Sequence, residues 1–183
     1  MIDWIYELDF MILEIIQGIR NPVLDKLMSL ITHLGNAGAI WILIAVAFII
    51  GRKTRVSGIK IAVALLLGLA VGTLGMKHFF MRERPFTFEE ALITLENLII
   101  SAPSDRYSFP SGHTLSSFTS AWLVLMYNKK LGVAAIILAS LISFSRMYLY
   151  VHFPSDILGA VILSVPIALA SNWVVNKIVK KSD

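Results

Sequence analysis

Two short segments of the sequence place a histidine among residues that could work with it in catalysis. Residues 110–113 read PSGH, and residues 145–156 read SRMYLYVHFPSD, so Asp156 follows His152 by four positions. At that spacing the carboxylate can accept a hydrogen bond from Nδ1 of the imidazole, which leaves Nε2 with a free lone pair. His152 is therefore a candidate nucleophile, and His113 is left as a candidate general acid.

Three basic residues near these histidines could bind an anion. Lys77 and Arg84 lie seven positions apart in KHFFMRERP, and Arg146 belongs to the second histidine segment. A phosphoryl group in transfer spreads negative charge over three equatorial oxygens, which a lysine and two arginines can hold. In PSGH, Ser111 can cap the following helix, and Gly112 lets backbone N–H groups approach an anion at the helix N-terminus. The pattern indicates a phosphate site.

The composition is that of an integral membrane protein. Of the 183 residues, 57% are hydrophobic and 15% are charged, and the mean hydropathy is +0.77. These values lie far from those of soluble domains. Cysteine is absent, which excludes disulfides, thiolate catalysis and cysteine-based zinc sites. The first residues carry acids where a secretory signal peptide has basic ones, so we expect no removable targeting segment.

Long stretches without formal charge predict the elements that position these residues, because lipid tolerates few ionised groups. We expect an all-α, polytopic membrane bundle of about five or six transmembrane helices, forming one membrane-embedded domain over residues 1–183. Residues 34–178 form its helical core. Residues 1–33 form an amphipathic segment that favours the membrane interface over a sixth span. The uncharged runs are Leu34 to Gly51, Ile61 to Met76, Tyr107 to Asn128, Leu131 to Ser145 and Ile157 to Asn176.

The basic residues between these runs predict the orientation of the chain. The positive-inside rule assigns to the cytoplasm the connections after the first and third runs and the segment after the fifth. The candidate site residues then lie together at the extracytoplasmic face of the plasma membrane. The net charge of +4 reflects this topology and gives no basic surface for nucleic acid. The cytoplasmic cations are Arg52, Lys53, Arg55, Lys60, Lys129, Lys130, Lys177, Lys180 and Lys181.

The long outer connection contains a segment that alternates apolar residues with acids. Residues 86–100 read FTFEEALITLENLII. The pattern suits a short amphipathic helix over the site, and a packed connecting loop fits equally well or better.

The sequence resembles the type 2 phosphatidic acid phosphatase superfamily, which includes lipid phosphatases, acid phosphatases and vanadium haloperoxidases. Its three-part signature is matched in order and spacing: a lysine with six residues to Arg-Pro, the PSGH tetrapeptide, and Ser-Arg with five residues to a histidine and three more to an aspartate. His33 and His78 match no position of the signature, and we expect them to be structural. The matching residues are Lys77, Arg84, Pro85, Pro110, Ser111, Gly112, His113, Ser145, Arg146, His152 and Asp156.

The resemblance implies a role for most of the matched residues. It implies nucleophilic attack by His152, acid catalysis by His113 and orientation of the nucleophile by Asp156. It also implies that hydrolysis needs no metal or other cofactor, and that the substrate is a lipid of the surrounding bilayer. Phosphate binding is implied for Lys77, Arg84, Ser111, Gly112 and Arg146.

Three classes of function remain open for such a site. The first is hydrolysis of a lipid phosphate or diphosphate from the outer leaflet, with undecaprenyl diphosphate as first choice and phosphatidylglycerol phosphate or phosphatidic acid as alternatives. The second is oxidation by bound vanadate, against which the apolar bundle argues. The third is non-enzymatic transport of an anion or lipid, which buried cations alone would also suit.

Overall fold

The computed structural model describes residues 3–89 and 91–180, and every regular element in those ranges is helical. The all-α prediction is therefore confirmed. Short 3₁₀ turns occur at Asn36–Gly38, Pro85–Thr87 and Leu95–Asn97, and a π-helix occurs at Leu69–Met76. The α-helices are α1 (Asp3–Gln17), α2 (Pro22–Leu34), α3 (Ala39–Ile50), α4 (Arg55–Gly68), α5 (Lys77–Phe80), α6 (Gly112–Tyr127), α7 (Lys129–Tyr148) and α8 (Pro154–Val179).

Three helical stretches of the described chain are long and apolar enough to cross a membrane. They are Arg55–Thr87, Lys129–Tyr148 and Pro154–Val179. A fourth candidate arises if Pro22–Leu34 and Asn36–Ile50, which meet at an angle of 44°, together form one span. The protein is thus a multi-pass membrane protein, and the number of five to six spans stays a prediction.

Helix α6 forms the centre of the bundle and packs against α4, α7 and α8. Two hydrogen bonds join its side chains to other helices, as is common where no water is available. The indole of Trp41 donates to Ser117 Oγ at 2.8 Å, and the indole of Trp122 donates to Ser164 Oγ at 2.9 Å. These bonds fix α6 against α3 and α8. The exposed faces of α3, α4, α7 and α8 carry large apolar side chains suited to lipid.

Helices α1 and α2 cover one end of this bundle. Gln17 Nε2 donates to the backbone carbonyl of Tyr148 at 3.1 Å, and the backbone N–H of Ser155 donates to Asp9 at 2.9 Å. Tyr148 also donates its hydroxyl to Asp25 of α2 at 2.7 Å. Tyr148 ends α7 and Ser155 lies in the first turn of α8, so α1 contacts the same end of the bundle at both positions. A location of this layer in the membrane interface stays a prediction.

Sharp changes of backbone direction occur at the same end. Ala37 and Gly38 have φ values of 51° and 71° at the bend between α2 and α3. Met81, with φ 46°, ends α5, and Tyr150, with φ 61°, reverses the chain between α7 and α8. The left-handed region is costly for residues other than glycine and is often occupied near functional sites. These turns bring distant segments of the chain together.

The connection between α5 and α6 is a packed loop. Among residues 86–89 and 91–100, the regular structure consists of the end of the 3₁₀ turn Pro85–Thr87 and the whole of the turn Leu95–Asn97, so the amphipathic-helix alternative for this segment is wrong. Its apolar side chains, including those of Phe86 and Leu98, pack against Tyr150 and Phe153 beneath them. The packed apolar side chains face the turn between α7 and α8. The described acids of the segment, Glu89 and Glu96, are exposed.

Close approach of helices in the bundle depends on glycine, which gives a test of the packing. A Cβ on Gly132 would lie 2.2 Å from Leu125 Cα, whereas a Cβ on Gly68 would lie no closer than 3.8 Å to Leu115. We expect Gly132→Ala to destabilise the protein by about 1–3 kcal/mol, because helix α7 must move away from α6. Gly68→Ala, the matched control, should be neutral or slightly stabilising. Thermal unfolding in detergent measures the stability of both variants. Equal melting temperatures for the two would contradict the close contact between α6 and α7 at Gly132.

Candidate active site

A cavity of about 1000 Å³ lies at the end of the bundle covered by α1 and α2. Six of the eight predicted site residues line it. The other two, Ser111 and Asp156, are fully buried behind its wall. The structure thus brings together three segments that are far apart in the chain. The six lining residues are Lys77, Arg84, Gly112, His113, Arg146 and His152.

His152 is held by one partner on each ring nitrogen. Arg84 Nη1 lies 3.3 Å from Nε2, and Asp156 Oδ2 lies 3.4 Å from Nδ1. Arginine has only donors, so Nε2 must be the accepting, unprotonated nitrogen and Nδ1 carries the hydrogen that faces the carboxylate. In this tautomer the Nε2 lone pair accepts from Arg84 at the cavity wall, and Asp156 lies at Nδ1, as the spacing of His152 and Asp156 predicts.

The surroundings of His152 also keep it neutral. Burial lowers the pKa of His152 well below its ordinary value, and the charges of Arg84, Arg146 and Lys77 lower it further. A neutral imidazole retains the lone pair that a nucleophile needs. A neutral His152 needs to lose no proton before attack, and its role as the nucleophile stays a prediction.

Asp156 is fixed by donors other than the histidine. Its Oδ2 accepts from the backbone N–H of Phe153 at 2.9 Å, which caps the start of α8. Its Oδ1 accepts from Arg82 Nη1 at 2.7 Å. The carboxylate thus has both oxygens occupied, and its position behind His152 agrees with an orienting role.

Three cations approach the cavity from different elements and are almost wholly buried. Lys77 begins α5, Arg84 lies just after it, and Arg146 belongs to the last turn of α7; their exposed fractions are 4%, 2% and 3%. Arg146 Nη1 donates to Thr32 Oγ1 at 2.6 Å, while its buried Nε has no hydrogen-bond partner among the described residues. Buried charges and donors need partners, so this group is suited to an anionic ligand.

A carboxylate of the protein itself, that of Asp105, lies between two of these cations. Asp105 Oδ1 accepts from Arg84 Nη2 at 2.6 Å, and its Oδ2 accepts from Lys77 Nζ. Burial alone would raise the pKa of Asp105, but the hydrogen bond from Lys77 and the charges of Arg84 and Lys77 outweigh it and hold the pKa below its usual value. Asp105 is therefore an anion in the cavity, bound where the sequence predicts a phosphate.

The N-terminus of α6 supplies backbone donors to the same cavity. Ser111 is the N-cap, and its Oγ accepts from Thr114 Oγ1 at 3.1 Å and from the Thr114 N–H at 3.5 Å. The predicted cap is confirmed, and binding of phosphate by Ser111 stays a prediction. The N–H groups of Gly112 and His113 belong to the first turn and have no intrahelical acceptor. A Cβ on Gly112 would make an ordinary van der Waals contact with Thr73 Oγ1 at 4.0 Å, so the backbone here is not crowded by its neighbours.

His113 is positioned by the bend between α2 and α3. Its Nε2 lies 3.0 Å from Asn36 Oδ1, a distance that fits an imidazole N–H donating to the amide oxygen. Gly35 packs so closely that a Cβ there would lie 2.6 Å from Cδ2 of the ring. Asn36 and Gly35, at the start of this bend, thus position the candidate acid.

Sequence reasoning missed five residues around the site. Arg82 and Asp105 were visible only as charges of the outer connection, and Asp9 only as an acid of the N-terminal segment. Thr32 and Asn36 gave no signal, because a single neutral side chain carries no spacing pattern. Four of the five contact a residue of the signature directly: Thr32, Asn36, Arg82 and Asp105.

The cavity continues from this polar end into an apolar groove. Its further walls come from α3 and α4, with Ile42, Val46 and Ile49 on one side and Leu65 and Leu66 on the other. A polar end joined to an apolar groove fits an amphiphile whose head is anionic. Within residues 3–89 and 91–180, no three His, Asp or Glu side chains are grouped as a metal site would require.

Solved structures share this architecture. The crystal structure of LpxE from Aquifex aeolicus matches with a TM-score of 0.74 and 26% identity, over 90% of this chain and 94% of that one. The PAP2-type phosphatidylglycerolphosphate phosphatase of Bacillus subtilis matches with a TM-score of 0.69 and 25% identity, over 97% of this chain and 87% of that one. Both likenesses therefore extend well beyond the segments that carry the signature.

Sequence comparisons identify the same family. An undecaprenyl-diphosphatase of Sulfolobus acidocaldarius is 30% identical over 161 residues, which cover 86% of this chain and 75% of the relative. The model of the PAP2 superfamily matches residues 57–180. These residues include every position of the signature. The chain therefore belongs to the PAP2 superfamily and is a lipid phosphatase of its membrane branch.

Proposed function

We propose that the protein hydrolyses a lipid phosphate or diphosphate through a phosphohistidine intermediate on His152. The main support is one observation: a single cavity holds three buried cations and the two histidines of the signature at its polar end, and it continues between α3 and α4 as an apolar groove. The polar end suits a phosphoryl group, and the groove suits the hydrocarbon attached to it.

The reaction takes place in two steps. In the first, His152 Nε2 attacks phosphorus, the bond from phosphorus to the leaving oxygen breaks, and His113 gives its proton to that oxygen. In the second, a water molecule gives a proton to His113 and attacks the phosphohistidine, which releases inorganic phosphate and restores both histidines. Asp156 orients His152 and stabilises the charge that develops on its ring.

The charge on the transferring group is met by side chains and backbone. Lys77 supplies a compact positive charge, whereas Arg84 and Arg146 each present a planar set of donors. The first N–H groups of α6 add the positive end of a helix dipole. Together they provide the positive charge that a bound metal supplies in many other phosphoryl-transfer enzymes.

Undecaprenyl diphosphate is the proposed substrate, with phosphatidylglycerol phosphate and phosphatidic acid as alternatives. The name of the Sulfolobus relative supports the first, and the activity named for the Bacillus structural neighbour supports the second. The long groove favours an extended hydrocarbon chain. Release of phosphate from these three lipids by purified protein, with excess chelator present, tests the proposal. We expect the highest kcat/KM with undecaprenyl diphosphate, and a higher value with either alternative would contradict this choice.

The two histidines should fail at different steps. We expect His152→Ala and His113→Ala each to lower turnover by several orders of magnitude. With a substrate whose leaving group needs no protonation, His113→Ala should still form phosphoenzyme, because its nucleophile is intact. His152→Ala should form none. Phosphate bound to the protein in an acid-labile, alkali-stable form measures the amount of phosphohistidine. Equal labelling of the two variants would contradict the assignment of His152 as the nucleophile.

Asp105 should compete with anionic ligands, because its carboxylate occupies both Lys77 and Arg84. We expect Asp105→Asn to tighten inhibition by inorganic phosphate or orthovanadate about tenfold, since one charged competitor is removed. Glu83→Gln is the matched control, because Glu83 pairs with the exposed Arg106 at 3.1 Å and not with Lys77 or Arg84. Weaker inhibition in Asp105→Asn would mean that the carboxylate arranges the cations for the substrate.

The site should face the outside of the cell, as the distribution of basic residues predicts. The chain has no cysteine, so single cysteines report their side of the membrane without interference. Glu96 and Lys130 are both exposed and lie in connections assigned to opposite sides. In intact cells, an impermeant thiol reagent should label Glu96→Cys but not Lys130→Cys. The opposite pattern would assign the site to the cytoplasm.

A further inference from the structure

We infer that Arg82 and Asp9 are positioning residues for the catalytic pair, joined to it in the chain Asp9–Arg82–Asp156–His152. This inference rests on the proposed role of His152. Arg82 is not a residue of the family signature, and Asp9 belongs to α1, outside the segment that the family model matches. Neither side chain lines the cavity, so both would act through Asp156.

The guanidinium of Arg82 binds the Asp156 carboxylate at the oxygen that does not face His152. Nη1 donates to Asp156 Oδ1 at 2.7 Å and to Ser155 Oγ at 2.6 Å, while Nη2 donates to Asp9 Oδ2 at 2.6 Å. The guanidinium carbon also lies 4.4 Å from the ring centre of Phe153 and 4.7 Å from that of Tyr6. Ion pairs in its plane and aromatic contacts leave this group little freedom to move.

The bond from Arg82 determines which oxygen of Asp156 faces the histidine. Oδ1 is occupied by Arg82, so Oδ2 is left to the Phe153 N–H and to Nδ1 of His152. Asp156 is completely buried, so no solvent is in contact with it to replace a lost donor. Without Arg82 the carboxylate would lose its charged partner and the restraint on its rotation. The orientation of His152 would be lost with it.

Asp9 in turn holds Arg82. It is 3% exposed, and it accepts from the backbone N–H of Ser155 as well as from Arg82. A buried carboxylate in an otherwise amphipathic helix is unfavourable unless it is paired. Here the pairing ties α1 to the first turn of α8, where Asp156 lies. The N-terminal helix thus contributes to the geometry of the catalytic site.

Because Arg82 acts through Asp156, its loss should lower kcat and leave substrate binding nearly intact. Hydrogen bonds to charged groups are worth about one to two powers of ten, so we expect Arg82→Gln to reduce kcat by roughly 10- to 100-fold, with KM changed less than about threefold. Arg82→Lys should recover part of the loss because it keeps the charge. Asp9→Asn should give a smaller loss of the same kind.

A double-mutant cycle separates positioning from a purely structural role. Activity on the lipid substrate is measured for Arg82→Gln, Asp156→Asn and the double variant. If Arg82 acts through Asp156, its substitution should cost less than about threefold in the Asp156→Asn background. Full additivity of the two losses would overturn the inference, as would a loss expressed mainly in KM.

Matched controls keep the result interpretable. Arg106→Gln removes an exposed arginine of the same connection, and Glu14→Gln removes an exposed acid of α1; both should retain wild-type kcat. If Arg82→Gln does not fold, the same cycle with Arg82→Lys decides by the same criteria. An active His152→Ala variant would refute the proposed function itself. An inactive His152→Ala variant together with an additive cycle would refute only the role of Arg82 and Asp9.

Discussion

The mutual repulsion of three buried cations is the constraint on which the rest of the site depends. Lys77, Arg84 and Arg146 converge on one cavity at the end of an apolar bundle, where water cannot screen them as it does at a surface. Such a group is stable only with an anion between its members. Asp105 is that anion in the structure, bound to Lys77 and Arg84. In the proposed reaction a phosphoryl group takes its place, so the charge that makes the cavity costly to form also binds the substrate.

Irregular backbone delivers these cations to one point. The π-helix Leu69–Met76 ends directly before Lys77, and the left-handed Met81 turns the chain so that Arg84 returns towards it. π-Helical turns are rare and often occur at functional sites. Arg146 and His152 flank the reversal at Tyr150. The regular helices thus make the site rigid, and the irregular turns bring its cations and histidines together.

The N-terminal layer supports the site without entering the reaction. Thr32 receives a hydrogen bond from Arg146, Asn36 holds His113, and Asp9 holds Arg82. Each contact restrains a group that would otherwise have to be ordered when substrate binds. Such restraint in advance of binding is a large part of how enzymes stabilise a transition state.

Spacing made the signature residues predictable, because their chemistry requires particular types at particular intervals. The last two uncharged runs, Leu131 to Ser145 and Ile157 to Asn176, also lie within the observed helices Lys129–Tyr148 and Pro154–Val179. The run from Leu34 to Gly51 gave no sign of the bend at Ala37, since hydropathy detects contact with lipid and not backbone angles. Asp105 and Asp9 could not be assigned either, because their partners lie far away in the chain and only folding brings them together.

The structure of the protein with bound orthovanadate tests the central claim most directly. Vanadate adopts the five-coordinate geometry of phosphoryl transfer and binds tightly to sites built for that geometry. The account predicts vanadium bonded axially to His152 Nε2, its equatorial oxygens on Lys77, Arg84 and Arg146, and Asp105 displaced from the two cations. Vanadate bonded to His113, or bound away from the three cations, would contradict it.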